Sequence, residues 1–413
     1  MTETMFAADV SALDGADPLA HFRDRFHLRE GLIYLDGNSL GALPKATGDR
    51  LAEVVGSEWG EGLITSWLGA EWSTAPRRIG DKIGRLLGAN PGEIVAIDST
   101  SVNIFKALTA ALSLRRERSV ILSEATNFPT DVYMMQGIEA FSGGRVKAVT
   151  VAPEAIVDAL NEDVAVLLLT QVHYKSGRVR DMAAITRAAH EAGVLVVWDL
   201  SHSAGAIPVD LNGANADFAI GCGYKFLNGG PGAPAYLFAA SRHHGATPVL
   251  SGWFGHARPF DFEEDYDPAA GIERFQCGTP PVLGLSALEV GVDLMLEADM
   301  AEIRRKSLAL GDLFIEHMRP LCEAYGFDLV STQDHATRGS QVAYAHPQVY
   351  QIVQALKEFD VIADFRAPDI LRFGLTPLYL RYRDILETVE RLEKVCATRA
   401  WDKPHYHQRA AVT

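Results

Sequence analysis

The sequence predicts an α/β fold, a mostly parallel seven-stranded sheet with helices on both faces, followed by a smaller C-terminal α+β domain. Three observations predict it. Short apolar runs rich in β-branched residues alternate with helical patterns from about residue 75 to residue 240. These runs lack polar alternation, as strands buried on both faces do. The polar residues collect directly after them, at the strand ends where open α/β sheets bind ligands.

The 413 residues exceed one ordinary core and imply two domains sharing a site. With 48% hydrophobic and 22% charged residues the composition is that of a globular protein. A net charge of −15 argues against nucleic acid or an anionic membrane as partner, since either attracts a basic surface. A small anionic ligand in a local basic pocket remains compatible with it. The opening segment MTETMFAADVSALDGADP has neither a basic n-region nor an apolar h-region, so no signal peptide is expected, and no apolar run approaches a membrane span. Cys222, Cys277, Cys322 and Cys396 are widely spaced without a C-x-x-C pair. That pattern fits a reduced, cytoplasmic compartment and no metal site.

In order, residues 1 to about 30 read as a loose helix around Ala20, Phe22 and Phe26, and LIYLDGNSLGALP as a short strand followed by turn formers. Residues 45–60 read as a helix with Leu51, Val54, Val55 and Trp59 on one face, and GLITSWLGAEW carries Trp67 and Trp72. Strands are expected at 93–98, 119–123, 146–151, 164–170, 194–199, 217–221 and 235–239. Helices are expected at 76–88, 101–112, 153–160 and 182–192. An aromatic, acidic connector at 251–282 leads to helices at 284–297 and 300–318, and short strands then alternate with helices at 347–358 and 383–398. The expected division is an N-terminal arm, 1–60, packing with the small domain; a large domain, 61–285; and a small C-terminal domain, 286–413.

Within this frame VLVVWD ends abruptly on Asp199, and a charge closing a buried strand needs a partner. The next strand runs into GCGYKFLNGGPG, which carries Lys225. Two chemistries are open. Lys225 neutralises the acid, or it acts as a nucleophile, because a lysine among small residues in an apolar pocket loses its proton and forms Schiff bases with carbonyl compounds. Pyridoxal phosphate is the carbonyl cofactor that also demands a carboxylate at its ring nitrogen. A solvated lysine and a helix-capping aspartate are the plainer readings of the same two residues. The other strand ends add Ser99, Thr100 and Ser101; Asn127 to Asp131; Thr170 and His173; His202; and Tyr224. Thr100 and Ser101 open a helix, where hydroxyls and free N–H groups either hold a phosphate or simply cap it.

The segments YLDGNSLGALP, STSVN, NFPTD, VHYKSGRVRD, WDLSHSAGAIPVDL, GCGYKFLNGGPG, GWFGH, GTPPVL, RGSQ and LRFGLTPLY, in that order from Tyr34 to Tyr379, resemble the fold type I pyridoxal-phosphate enzymes and, more closely, the kynureninases. The resemblance implies hydrolysis of L-kynurenine to anthranilate and L-alanine in tryptophan degradation, with 3-hydroxykynurenine as a further substrate. It implies that Lys225 binds the cofactor as a Schiff base and then moves the Cα proton. Asp199 would pair with the ring nitrogen beside His202. Phe128 would stack on the ring, with Pro129, Thr130 and Asp131 around it and Thr170 facing it. Thr100, Ser101, Tyr224 and Trp253 would form the phosphate side. Trp253 and Thr279 would reach the neighbouring subunit's site, which implies a homodimer. Tyr224 is either a proton donor or a phosphate ligand, and His173 either touches substrate or supports those that do. Arg372, flanked on its strand by Leu371 and Phe373, would point into the interdomain cleft and clamp the substrate's α-carboxylate, with Ser39 and Trp67 also at the substrate. Relatives preferring 3-hydroxykynurenine have Asn at the position of Thr279 and a His-containing segment around that of Trp67, so this chain is expected to favour kynurenine.

Two rivals stand beside this reading. A cysteine desulfurase or selenocysteine lyase needs a late mobile-loop cysteine, whereas STQDHATRGSQ has none and Cys322 sits in a helical pattern. A non-catalytic binding protein on the same scaffold has no need of Lys225, Asp199 and Arg372 together.

Overall fold

A computed structural model describes residues 10–409; the part of the expected N-terminal helix over 1–9 lies outside them. The chain divides into two compact units, one of Ala46–Tyr174 and Arg180–Leu296, the other of Met1–Lys45, Lys175–Val179 and Glu297–Thr413. Strand β1 (Ile33–Tyr34) belongs to the second unit. The first holds β2 (Ile94–Ala96), β3 (Val120–Glu124), β4 (Lys147–Val151), β5 (Val164–Thr170), β6 (Leu195–Asp199), β7 (Phe218–Gly221) and β8 (Tyr236–Ala239).

These seven strands form one sheet in the order β2-β8-β7-β6-β5-β3-β4. Only β8 runs against its neighbours β2 and β7; all the other pairings are parallel. Every residue of β5, β6, β7 and β8 is buried, which is why their sequences are continuous apolar runs, whereas the edge strand β4 is half-exposed. Helix Thr100–Ser113 lays Ile104, Leu108 and Ala111 into the same core as Val166, Leu168, Phe218 and Leu237. Register matters most for function. Thr170 pairs with Asp199 and Asp199 with Ile220, so β5, β6 and β7 finish level.

All seven expected strands are present, and three expectations need correction. Residues 153–160 hold only a 3-10 turn, Pro153–Ala155, since Ile156 alone is buried and Val157 is half-exposed, too little apolar contact to hold a helix. After helix Ala46–Glu53 the chain widens into π turns over Val54–Glu61. The wider turn rotates successive side chains off the expected stripe, leaving Val54 buried but Val55 47% and Trp59 56% exposed. Helix Pro129–Phe141 is absent from the sequence-based reading, because its start at Phe-Pro reads as a turn and its buried face is confined to Asp131, Met135 and Ile138.

The unit boundaries also move. Residues from Ala46 join the first unit, where Val54 and Trp59 share an apolar cavity of ≈ 410 Å³ with Trp67, Trp72 and Thr279. Helix Val282–Glu297 is held there too, by Glu289 accepting from Arg78 at 2.9 Å and Lys82 at 2.8 Å. Lys175–Val179 joins the second unit, where Val179 N donates to Thr337 O at 2.8 Å and Gly339 N to Gly177 O at 2.7 Å.

The second unit carries an antiparallel sheet of β12 (Asp364–Arg366), β13 (Ile370–Gly374), β10 (Gln341–Ala345) and β9 (Asp328–Leu329), while β1 pairs in parallel with β11 (Val361–Ile362). Helices Met300–Tyr325, Val349–Glu358 and Tyr382–Ala397 complete the α+β arrangement. Among the described residues no helix is long and apolar enough to cross a membrane.

Candidate active site

At the level ends of β5, β6 and β7 one small cavity is lined by Thr100, Ser101, Phe128, Thr130, Thr170, Asp199, His202, Tyr224 and Lys225, with Tyr174 and Ser201 also in its wall. Each arrives there for a local reason. Thr100 and Ser101 begin a helix whose N-cap is Ser99, its hydroxyl accepting from Val102 N at 3.4 Å, so the first-turn N–H groups face the cavity end. Phe128 precedes Pro129, which opens helix Pro129–Phe141 and brings Asp131 into the first turn. Lys225 follows β7 after a Gly-Cys-Gly-Tyr turn and is 8% exposed.

Lys225 Nζ lies 3.0 Å from His202 Nε2 and within 6 Å of two aromatic faces, 5.8 Å from the Phe128 ring centre and 5.9 Å from that of Tyr224. Tyr174 meets Phe128 edge to face at 5.2 Å and fixes the plane of its ring. Asn127 is the hidden organiser. Its side chain accepts from Phe128 N at 2.8 Å and from the Thr170 hydroxyl, and donates to Ser123 Oγ at 3.0 Å. Asp199 accepts from Ser201 N at 2.7 Å.

Two buried carboxylates at this site call for a positive partner. Burial, and then the charge of Asp199, holds Asp131 well above the usual carboxylate range, and burial raises Asp199 as well. Among the described residues Asp199 makes no ion pair within 4.0 Å, and Asp131 Oδ1 is buried without a hydrogen-bond partner. A protonated ring nitrogen beside Asp199 meets this demand, an aromatic ring matches the Phe128 face, an aldehyde suits the Lys225 amine, and a phosphate suits the helix opening at Thr100. The residues therefore fit pyridoxal phosphate.

The remaining expected residues line other pockets of the first unit, pack behind the lysine cavity or belong to the second unit. Thr279 belongs to the apolar cavity with Trp67 and also to a ≈ 500 Å³ cavity that shares Thr100 and Tyr224 with the lysine site. Trp67 packs edge to face with Trp72 and at a tilt against Phe254, and does not line the lysine cavity. Trp253 is 44% exposed, its indole N–H donating to Pro259 O, in a separate pocket of loop 251–266. His173 is half-buried with Nε2 3.0 Å from Thr126 O. Ser39 and Arg372 meet at 3.1 Å in the second unit, where Arg372 is ion-paired with Asp364. Sequence reasoning passed over the roles of Tyr174 and Ser201; the signal for Tyr174 was an aromatic beside His173 at the end of a buried strand.

Comparison with known proteins follows the same line. Residues 303–392 match the family described as Kynureninase C-terminal domain. Kynureninases are 48% identical in Burkholderia pseudomallei over 97% of this chain and 98% of that one, 52% identical in Deinococcus radiodurans over 94% and 96%, and 46% identical in Pseudomonas fluorescens over 98% and 99%. Among solved structures the cysteine desulfurase CsdA of Escherichia coli superposes with a TM-score of 0.74 at 21% identity over 92% of this chain and 98% of its own. The cystine lyase C-DES, solved with glycine covalently linked to its PLP cofactor, gives 0.76 at 18% identity over 90% and 98%. The latter two share the fold. On sequence, over nearly its whole length, the chain belongs to the kynureninase family.

Proposed function

We propose that this chain is a pyridoxal-phosphate-dependent hydrolase that cleaves the Cβ–Cγ bond of L-kynurenine to anthranilate and L-alanine in tryptophan degradation. The observation that carries the reading is the buried convergence of Lys225, His202 and Asp199 with the Phe128 face, in a chain 46–52% identical to kynureninases. Pyridoxal phosphate, when bound, supplies an electron sink at the substrate's Cα.

Every other task falls to side chains. Lys225 holds the cofactor covalently and then carries the Cα proton, with His202 at 3.0 Å as its immediate neighbour. Asp199 keeps the ring nitrogen protonated, and Phe128, Pro129, Thr130, Asp131 and Thr170 set the ring's plane and edge. Thr100 and Ser101 hold the phosphate, with Tyr224 beside them. Water adds to the γ-carbonyl of the substrate, a base removes its proton, and the Cβ–Cγ pair of electrons departs with Cβ while Cγ leaves as the carboxyl of anthranilate. Tyr224 donates the proton that completes the methyl group of alanine.

Arg372 and Ser39 bind the α-carboxylate, His173 supports the substrate, and Trp67 with Thr279 supplies an apolar wall for the aryl ring. With threonine rather than an amide at 279, kynurenine is preferred over 3-hydroxykynurenine. The enzyme works as a cytoplasmic homodimer, with Trp253 and Thr279 reaching the neighbouring site. The desulfurase alternative is disfavoured, since residues 331–341 hold no cysteine and Cys322 lies within helix Met300–Tyr325.

The test is fluorescence of released anthranilate from purified protein supplied with pyridoxal phosphate, with both kynurenines compared side by side. Anthranilate release together with a visible absorption band, both lost in Lys225→Ala, is expected. Colourless protein that takes up no cofactor, or a coloured one that releases no anthranilate, overturns it.

A further inference from the structure

Two motifs distant in sequence, LDGNS and LRFGL, are tied together in the second unit: Gly374 N donates to Leu35 O at 2.6 Å and Leu35 N to Ile362 O at 2.8 Å. Around that tie lies a charge cluster. Arg372 on β13 stands directly across the antiparallel ladder from Asp364 on β12. The side chains of both are almost wholly buried, at 1% and 2% exposure. Asp364 Oδ2 is the focus: it accepts from Arg372 Nη2 and from the Ser39 hydroxyl at 2.7 Å and is ion-paired with Arg366 Nη2 at 2.9 Å, while Oδ1 accepts from Arg366 Nη1 at 2.9 Å. A guanidinium and a hydroxyl converging on a carboxylate is the donor set that a carboxylate ligand requires. Here the protein's own side chain occupies it.

The charges are already matched. Asp36 lies against the same group, close enough to feel Asp364, Arg372 and Arg366, so two guanidiniums face two carboxylates. Among the described residues, an arriving carboxylate therefore meets guanidiniums already facing carboxylates and has to replace a resident one. Asp364 is equipped to be replaced, because Arg366, 30% exposed, continues to donate to its Oδ1 when Arg372 turns away.

We infer that Asp364 is an internal competitor for Arg372, a specificity-determining residue that the substrate's α-carboxylate displaces and whose grip sets the enzyme's affinity for amino-acid substrate. The inference rests on the reading that Arg372 binds that carboxylate. It makes two opposite demands. Weakening Asp364 frees Arg372, and removing Arg366 drives Asp364 more firmly onto it.

The experiment is steady-state kinetics of the holoenzyme with L-kynurenine, using Asp364→Asn, Arg366→Gln and Arg372→Lys, with the visible absorption of bound cofactor confirming that each variant is folded. Asp364→Asn is expected to lower KM roughly three- to tenfold, the scale of one ordinary net hydrogen bond, since the asparagine keeps part of the contact, with kcat changed by less than about twofold. Inhibition by L-alanine, which carries the same carboxylate, tightens in parallel. Arg366→Gln is expected to raise KM by a similar factor, and it carries the test alone if Asp364→Asn does not fold. A KM unchanged or raised in Asp364→Asn, or unchanged or lowered in Arg366→Gln, overturns the inference while Arg372→Lys still raises KM. If Arg372→Lys leaves KM unaltered, the carboxylate role of Arg372 itself is wrong and the inference falls with it.

Discussion

Gly291 lies in the middle of helix Val282–Glu297, where a side chain is ordinarily welcome, and its replacement by alanine is expected to damage the lysine site. A Cβ there would stand 2.1 Å from Leu227 O, 2.9 Å from Asn228 C and 3.0 Å from Asn228 O. These are backbone atoms of the turn that follows Lys225, closed by Asn228 N donating to Lys225 O at 2.9 Å. To restore ordinary contact the turn or the helix has to retreat by about 1 Å. Overpacking of this kind costs about 1–3 kcal/mol, and because backbone rather than a flexible side chain is struck the upper half of that range applies. Alanine recovers about 1 kcal/mol of helix propensity, so a net loss of about 1–2 kcal/mol is expected. Gly137 provides the control. It lies in helix Pro129–Phe141 with nothing within 4 Å of its Cβ position, so Gly137→Ala is expected to gain about 0.5–1 kcal/mol. The assay is the urea midpoint of each holoenzyme together with its retention of visible absorption on dilution. Gly291→Ala as stable as Gly137→Ala, with undiminished cofactor retention, would refute the argument that the missing side chain is what lets this helix seat the lysine turn.

Further outcomes are expected at other sites. Burial pushes Glu289 up, but hydrogen bonds from Arg78 and then Lys82 outweigh it and leave the carboxyl at about 2. Each pKa unit is worth about 1.4 kcal/mol, so with solvent screening the cluster contributes about 1–2 kcal/mol. A lowered carboxyl stabilises above its unfolded value and loses that contribution as pH falls towards about 2. Glu289→Gln should therefore lower the urea midpoint at pH 7 and match the parent in strong acid. Asp199→Asn should keep the cofactor yet lose about 10²–10⁴-fold in anthranilate release, since a neutral amide cannot hold the ring nitrogen protonated; near-parent turnover would remove Asp199 from the mechanism. Thr279→Asn should shift the kcat/KM ratio towards 3-hydroxykynurenine by about tenfold, read from the two substrates in parallel.

The seven strands were legible because burial on both faces leaves an uninterrupted apolar run, a signal contained within a few residues. The acid and the lysine were legible for the same reason, Asp199 closing such a run and Lys225 standing in the turn just beyond the next one. Helix Pro129–Phe141 was not, since a Phe-Pro start and a narrow buried face carry little periodicity, and the π turn after Glu53 moved Val55 and Trp59 off a stripe that the ordinary helical period places inward. Those are local events that depend on what the surrounding chain offers as cover. The compact units are bounded differently from the expected domains, because ion pairs such as Glu289 with Arg78, and close approaches such as Gly291 to Leu227, join segments far apart in the chain. No spacing rule reports that Asp364 stands across from Arg372, or that Trp67 shares its cavity with Thr279 rather than with Lys225. Residue type and periodicity state which groups must be buried or carry chemistry; which of them meet is settled by strand register and packing summed over the whole unit.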